Sequence, residues 1–386
     1  MRAIKNTSAE IIVIDNNSTD GSNIFLCNKF ANVLYIWNKE NVGFSKANNI
    51  ALRQAKGKYV LFLNPDTIIA EDCLEKCLFF FKTHTNIGAL GIRMVDGAGN
   101  FLKESKRGFP SPITSFFKLS GLINIFPSSP IFARYYLGNL RENATHMVDV
   151  LSGAFMMVKK DILDGLGGFD EDFFMYGEDV DLSYRIQKAG YKNYYFSEST
   201  IIHFKGESTK RESQKYINLF YGAMDLFVKK HYGSIEAAFY SFFIHIAIAL
   251  KAASAFFKKI FLVNKSEKGL GDNHLSTIII AGQHEYDVVV DLLTKAGSVM
   301  EIIGRVGADE NAAGISIGSF DQIRGIIKRH RIQKVIFCID EVTVKEVIRF
   351  MQNARLDICY SFHANGTDSV VGSNNKNEAG DIIGVG

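Results

Sequence analysis

The chain has 386 residues, enough at roughly 100–200 residues per domain for two or three folded units. Its 47% hydrophobic and 22% charged residues sit near the globular average and exclude wholesale disorder, and five prolines exclude Pro-rich linkers and collagen-like structure. A net charge of +3 is too small to argue for a nucleic-acid partner, and none is expected.

The chain opens on MRAIKNTSAE, which has no apolar h-region, so no signal peptide is expected there. These polar-leaning residues lead straight into Glu10–Asp15, an apolar run that ends in an acid. Strands are predicted over 10–15, 33–37, 58–63 and 87–93, and helices over 21–31, 44–56 and 71–83. This alternation predicts a parallel, doubly wound sheet. Cys73 and Cys77 lie four apart on the third helix, where core packing explains them. The five cysteines are scattered without a CxxC pair, which argues against a cysteine-built zinc site and suits a reducing compartment. Residues 105–145, rich in aromatics, read as an irregular insertion. Strands follow over 148–160 and 192–204, with a helix between them ending at the Gly190 cap.

Residues 237–263 are strongly apolar, interrupted by His245, Lys251, Lys258 and Lys259, and are long enough to span a bilayer at about 20 residues. Three readings compete. A span would place Lys251 near mid-membrane at roughly 2.5–3.5 kcal/mol. An interfacial helix with its lysines toward anionic headgroups fits better. A helix buried between domains is the third. A polar linker, 265–274, precedes a second alternation, with strands at 277–281, 299–304, 334–339 and 356–360 and helices near 285–296, 319–330 and 342–354. The expected division is 1–233, then 234–274 as helical segment and linker, then 275–386, with a frayed tail after 376.

Four segments of the first unit carry chemistry. IDNNSTDGS (14–22) puts Asp15 at a strand's C-terminal end, the edge where open α/β sheets bind ligands; an Asx turn capping the next helix is the plainer reading. YVLFLNPDT (59–67) repeats the arrangement with Asn64-Pro65-Asp66, which suits Mg²⁺ or Mn²⁺ completed by phosphates, or merely a capped turn. GGFDEDFFMYGEDVDLSYRIQKAGY (167–191) sets Glu178 and Asp179 at a helix start among aromatics, where the helix dipole favours a carboxylate and an apolar wall raises its pKa toward that of a base. A solvated acidic helix start is the alternative. His203 stands near a strand end in TIIHFKGEST (200–209), either structural or a further ligand.

Together with NKENVGFSKANNIAL (38–52) and LSGAFMMVKKD (151–161), these segments stand in the order and spacing of the inverting family 2 glycosyltransferases, and resemble most the rhamnosyltransferase-like branch over about residues 9–233. The resemblance implies a GT-A fold with a mixed sheet, a dTDP- or UDP-sugar donor, Mg²⁺ or Mn²⁺, and a glycan or polyprenyl-linked acceptor at the cytoplasmic membrane face. It assigns Asp179, of the Glu178-Asp179 pair, as catalytic base and Asp66 with His203 to the metal, Asn64 replacing the first Asp of the usual DxD. It assigns Asp15, Asn17, Asn41, Gly43, Asn48, Asn64, Ser152 and Gly153 to donor binding. In that family a further strand and helix precede the position of Glu10, so the first β-α unit is expected to be missing. An inactive sugar-nucleotide-binding scaffold and a nucleotide-sensing module are the alternative functions.

TIIIAG (277–282), VMEIIGRVGADE (299–310), IGSFDQIRGIIKRHRIQKVIFC (317–338) and VVGSNN (370–375) resemble the Rossmann-like, CoA-binding-type domain found beside sugar-phosphate transferases. Ala281-Gly282-Gln283-His284-Glu285 departs from GxGxxG, which puts close backbone approach to a pyrophosphate in doubt.

Overall fold

The structure, a computed structural model, describes residues 2–204, 214–233, 238, 275–298, 300–308, 315–339, 341–354, 358–372 and 381–384. It is α/β throughout. β1 (Ile12–Asp15), α1 (Ser22–Lys29) and β2 (Leu34–Trp37) form a parallel pair with its crossover helix, and among the described residues the two strands bond only to each other. α2 (Phe44–Gln54) follows. The main sheet has the order β3-β7-β5-β8-β4, with β6 beside β8. Its strands are β3 (Tyr59–Leu63), β4 (Thr67–Ile69), β5 (Ile87–Val95), β6 (His146–Met147), β7 (Phe155–Lys159) and β8 (Lys192–His203).

The sheet is mixed rather than parallel as the alternation predicts. Only β5 and β8 run parallel; β7 runs antiparallel between β3 and β5, and β4 antiparallel to β8. Every residue of β5 is buried, as expected of a central strand covered on both faces. α3 (Cys73–Thr83) lays Cys73, Leu74, Cys77, Phe80 and Phe81 on one face, placing both cysteines in the core as expected. α7 (Glu178–Lys188) comes so close to β5 that a Cβ on Gly88 would stand 2.3 Å from Ile186 Cγ2.

Three expectations need correction. The strand predicted over 148–160 is only Phe155–Lys159, and α6 (Lys160–Leu166) begins where it ends. Residues 148–154 form a loop pinned by reciprocal Arg107–Val150 backbone bonds of 3.1 and 2.9 Å, because Ser152 and Gly153 turn the chain toward α7. The insertion holds regular structure, α4 (Pro112–Leu119) and α5 (Leu122–Ile125), the first started by a Ser111/Thr114 capping box with Pro112 at the first turn. The tail is not simply frayed: residues 381–384 form a strand.

The second sheet has the order β10-β9-β11-β12-β13-β14. Here β9 is Ser276–Ile280, β10 Glu301–Val306, β11 Lys334–Cys338, β12 Cys359–His363, β13 Ser369–Gly372 and β14 Asp381–Gly384. The first four are mutually parallel and the last two antiparallel. α8 (Gln214–His231) precedes this sheet; α9 (Gln283–Lys295), α10 (Ile323–His330) and α11 (Val344–Ala354) connect its parallel strands.

One hydrophobic cluster runs through both sheets, from Cys73 and Phe204 to Val347 and Phe362. Phe204 meets Phe362 edge-on at 5.4 Å, Glu71 accepts from Val344 N at 2.9 Å, and Lys345 reaches Asp72 at 2.9 Å. Among the described residues no helix is long and apolar enough to cross a membrane; apart from residue 238, the stretch 237–263 lies outside them.

Candidate active site

Asn64, Asp66, Ser152, Gly153, Asp179 and His203 lie at one end of the main sheet, while the donor-side residues 15–48 lie on the separate β1–β2 pair and α2. At the metal motif, Thr67 Oγ1 donates to Asn64 O at 2.7 Å, and the backbone turns there into β4, which pairs with β8 so that Thr67 faces His203. His203 Nε2 then lies 3.2 Å from Asp66 Oδ1, with His203 6% exposed. His203 Nδ1 is buried without a hydrogen-bond partner among the described residues. A carboxylate oxygen beside an imidazole nitrogen fits the donor preference of Mn²⁺ or Mg²⁺, and the pair supplies two donors; no cluster of three protein donors exists among the described residues.

Asn64 N donates to Ala154 O at 3.1 Å, tying this motif to the Ser152–Ala154 loop. There Ser152 accepts from Ala154 N through its own hydroxyl, and Gly153 N donates to Asp179 Oδ2 at 3.1 Å. Asp179 Oδ2 also accepts from Arg107 Nη2, whose side chain is 10% exposed and whose second bond runs to Leu151 O at 2.7 Å. Burial works against the charge on Arg107, but the carboxylate of Asp179, with Tyr135, outweighs it and holds the guanidinium pKa above its usual range.

Glu178 stands differently. It is the first residue of α7, follows Gly177 in the left-handed conformation, and is buried with Oε2 unbonded among the described residues. Burial, and then the negative charge of Asp179, push its carboxyl up to about 8. Two adjacent acids therefore have opposite environments, one protonated near neutrality and one held by a cation. Asp181, two residues on, accepts from Arg185 Nε and bonds His231 Nε2, each at 2.6 Å, and serves the core.

The donor-side residues form a second cluster. Asp15 Oδ1 accepts from Ser18 N at 2.9 Å in a local turn, but the cap of the plainer reading is not found: α1 has Gly21 at its N-cap and no side-chain cap bond. Asn17 is exposed with φ 67°. Asn41 Oδ1 accepts from Gly43 N at 3.0 Å, and Asn48 turns back to Phe44 O of its own helix. Gly43 is required: at φ 86°, ψ 169°, a Cβ there would stand 2.6 Å from Phe174 O. Through that approach Phe44 N bonds Phe174 O at 2.7 Å, linking α2 to the loop that delivers Glu178.

Sequence reasoning missed three residues. Asn16 is the hub of the donor-side loops, donating to Asn41 Oδ1 and Gly43 O and accepting from Asn38 Nδ2 and Val42 N. Asn49, buried on α2, bonds Phe169 in both directions and Glu171. Arg107 lies in the insertion, 72 positions before its partner, where no local pattern marks it. At the second sheet, a Cβ on Gly282 would meet Glu341 Oε1 at 2.3 Å. A carboxylate thus sits over the start of α9, which agrees with the missing glycines in disfavouring a pyrophosphate there.

The sequence model described as Glycosyl transferase family 2 matches residues 2–166. The chain is 30% identical over 190 residues to rhamnosyltransferase WbbL of Escherichia coli K12, covering 46% of this chain and 67% of that protein. It is 29% identical over 219 residues to the N-acetylglucosaminyl-diphospho-decaprenol L-rhamnosyltransferase of Mycobacterium tuberculosis, covering 54% of this chain and 70% of the other. Among solved structures, GalNAc-T7 with UDP, GalNAc and Mn²⁺ aligns at 16% identity and TM-score 0.41 over 57% of this chain and 41% of its own. The chain belongs to glycosyltransferase family 2. It is a glycosyltransferase, and its first sheet has the mixed α/β architecture of the GT-A class.

Proposed function

We propose that this chain moves a sugar, rhamnose or a similar deoxysugar, from a dTDP- or UDP-linked donor to a hydroxyl of a cell-surface glycan precursor carried on a polyprenyl lipid, with inversion. The observation that carries this is the orientation of Asp179: among the described residues its side-chain bonds, from Arg107 and Gly153 N, fall on Oδ2, which turns Oδ1 toward an acceptor. In an inverting displacement one base takes the acceptor hydroxyl's proton as the oxygen attacks the anomeric carbon and the nucleoside diphosphate departs from the opposite face. General-base help of this kind is worth roughly 10²–10⁴-fold. Asp179 is that base. Glu178, protonated beside it, keeps a second negative charge from the site. Asp66 and His203 would hold Mg²⁺ or Mn²⁺ when bound, and the ion supplies Lewis-acid stabilisation of the departing diphosphate. Asp15, Asn17, Asn41, Gly43, Asn48 and Asn64 line the donor side, and Ser152 and Gly153 lie beneath the transferred sugar.

The rhamnosyltransferase names of the two relatives support the donor class and, for the second, a lipid diphosphate acceptor. The division at 233 and 274 and a place at the cytoplasmic membrane face belong to the same reading. The test is turnover of a panel of dTDP-, UDP- and GDP-sugars with Mn²⁺ or Mg²⁺ and a polyprenyl-diphosphate saccharide, with product anomeric configuration read by NMR. Transfer with retention, or no turnover of any donor in the panel, would sink it.

A further inference from the structure

We infer that the α4–α5 hairpin of the insertion is a docking surface for an anionic lipid bilayer. The hairpin has its own small core of Ile123, Ala133 and Tyr135, and Phe132 meets Phe117 edge-on at 4.9 Å and stacks on Phe126 at 5.1 Å. Yet it turns five large apolar side chains to solvent: Ile113, Phe116, Ile125, Phe126 and Ile131, each 47–67% exposed. Ile113 and Phe116, three apart on α4, share one face of that helix. A patch of this kind on a folded, capped hairpin marks an interaction site rather than a scatter of surface apolar residues.

Charge names the partner. From Lys106 to Arg141 there are five basic residues and no acidic one, while the whole chain carries only +3. Three of the five face inward, Lys106 and Arg107 buried and Lys118 over the Tyr135 ring at 3.9 Å; Arg134 and Arg141 are exposed, and the turn at Arg134–Tyr136 packs on α4. Beside the hairpin lies a cavity of about 290 Å³, walled by Ile123 and Pro127 and lined by Lys103, Lys106 and Arg141; its one acid, Glu142, is already paired with Arg93 at 3.0 Å. Apolar side chains next to cations, with no free acid, match the layered chemistry of acyl chains under anionic headgroups. An apolar protein partner would need no such excess of positive charge.

The hairpin begins five residues after Arg107, the partner of Asp179, so a bilayer against it would lie next to the base. The inference rests on the lipid-linked acceptor reading above for its purpose, but its measurement needs no donor and no turnover. It also differs from the expectation placed on 237–263, which would make that stretch the membrane contact.

The experiment uses the full chain with vesicles of phosphatidylcholine, with and without phosphatidylglycerol. Co-sedimentation is expected with the anionic vesicles, weakened about tenfold or more in a Phe116→Ser/Phe126→Ser variant that keeps its circular dichroism. A second variant, Phe116→Trp, is read in parallel so that the test does not depend on the fold of the first. Its emission should be quenched by brominated phosphatidylglycerol vesicles beyond the quenching of the parent, whose single tryptophan is Trp37. No sedimentation with anionic vesicles overturns the inference. So does a vesicle-bound Phe116→Trp chain without added quenching, which would move the contact elsewhere in the chain. A dimer in the absence of lipid that the serine variant dissociates would assign the patch to a second copy and likewise overturn it. Bilayer docking without transfer to a lipid-linked saccharide would fail the acceptor reading alone.

Discussion

Replacing Arg107 by methionine keeps most of the side chain's length and removes only its charge and donors. Arg107 and Asp179 are 10% and 14% exposed, so solvent screens the pair little. Removing one partner of such a buried pair leaves the other charge uncompensated, at about 3–5 kcal/mol. At roughly 2–4 °C per kcal/mol for a unit of this size, that is a fall in Tm of about 6–20 °C. Arg107 also fixes the Asp179 carboxylate through Oδ2, so without it the carboxylate is free to turn away from an acceptor, and kcat falls by up to about the 10²–10⁴-fold that general-base help supplies. The assay is kcat for wild type and Arg107→Met, with Tm recorded for each. The double variant with Asp179→Asn should lose little more than the single ones, because both act on one group. A kcat near wild type, or losses that add in the double variant, would show that Arg107 does not act through Asp179.

Asp179→Asn should abolish transfer while leaving donor binding by thermal shift intact; near wild-type turnover would mean that another group is the base. Glu178 has its pKa raised by the fold, so the stability it contributes is complete below about 4.5 and is lost as pH rises through about 8. Glu178→Gln, which imitates the protonated acid, should flatten Tm against pH across that window, and an unchanged slope there contradicts the assignment. Asp66→Ala should remove the Mn²⁺-dependent part of nucleotide binding, measured by calorimetry with and without the ion, and His203→Ala should weaken it less. Gly43→Ala forces a Cβ against Phe174 O in a backbone region that costs about 1–3 kcal/mol for other residues. It should lower both Tm and donor affinity, and a neutral result would show that the α2 contact with the 173–174 loop is dispensable.

The local signals in the chain were sufficient for most strands and helices of the two sheets, though not for the helices of the insertion or the true start of β7. Apolar runs closed by Asp15, by Asn64-Pro65-Asp66 and by His203 mark strand ends, because the residues that pack within the sheet are apolar and the chain turns polar where it leaves it. The period of α3 placed Cys73 and Cys77 inward for the same reason. What sequence spacing could not carry is which strand lies beside which. β7 enters antiparallel between β3 and β5, and β4 returns along β8 after only three residues, since pairing direction depends on where the chain comes back and not on the composition of the strand. The same holds for Arg107 and Asn16. An arginine in an aromatic insertion and a second asparagine after a strand look like ordinary loop residues. Only folding sets the guanidinium against Asp179, 72 positions on, and turns the Asn16 amide to bridge the loops at 38–43. The sequence by itself determined which groups this glycosyltransferase has available, because strand ends and helix starts announce themselves locally. The tertiary structure alone decided which of two adjacent acids is paired with a buried cation and which is kept protonated by burial, because that depends on neighbours far away in the chain.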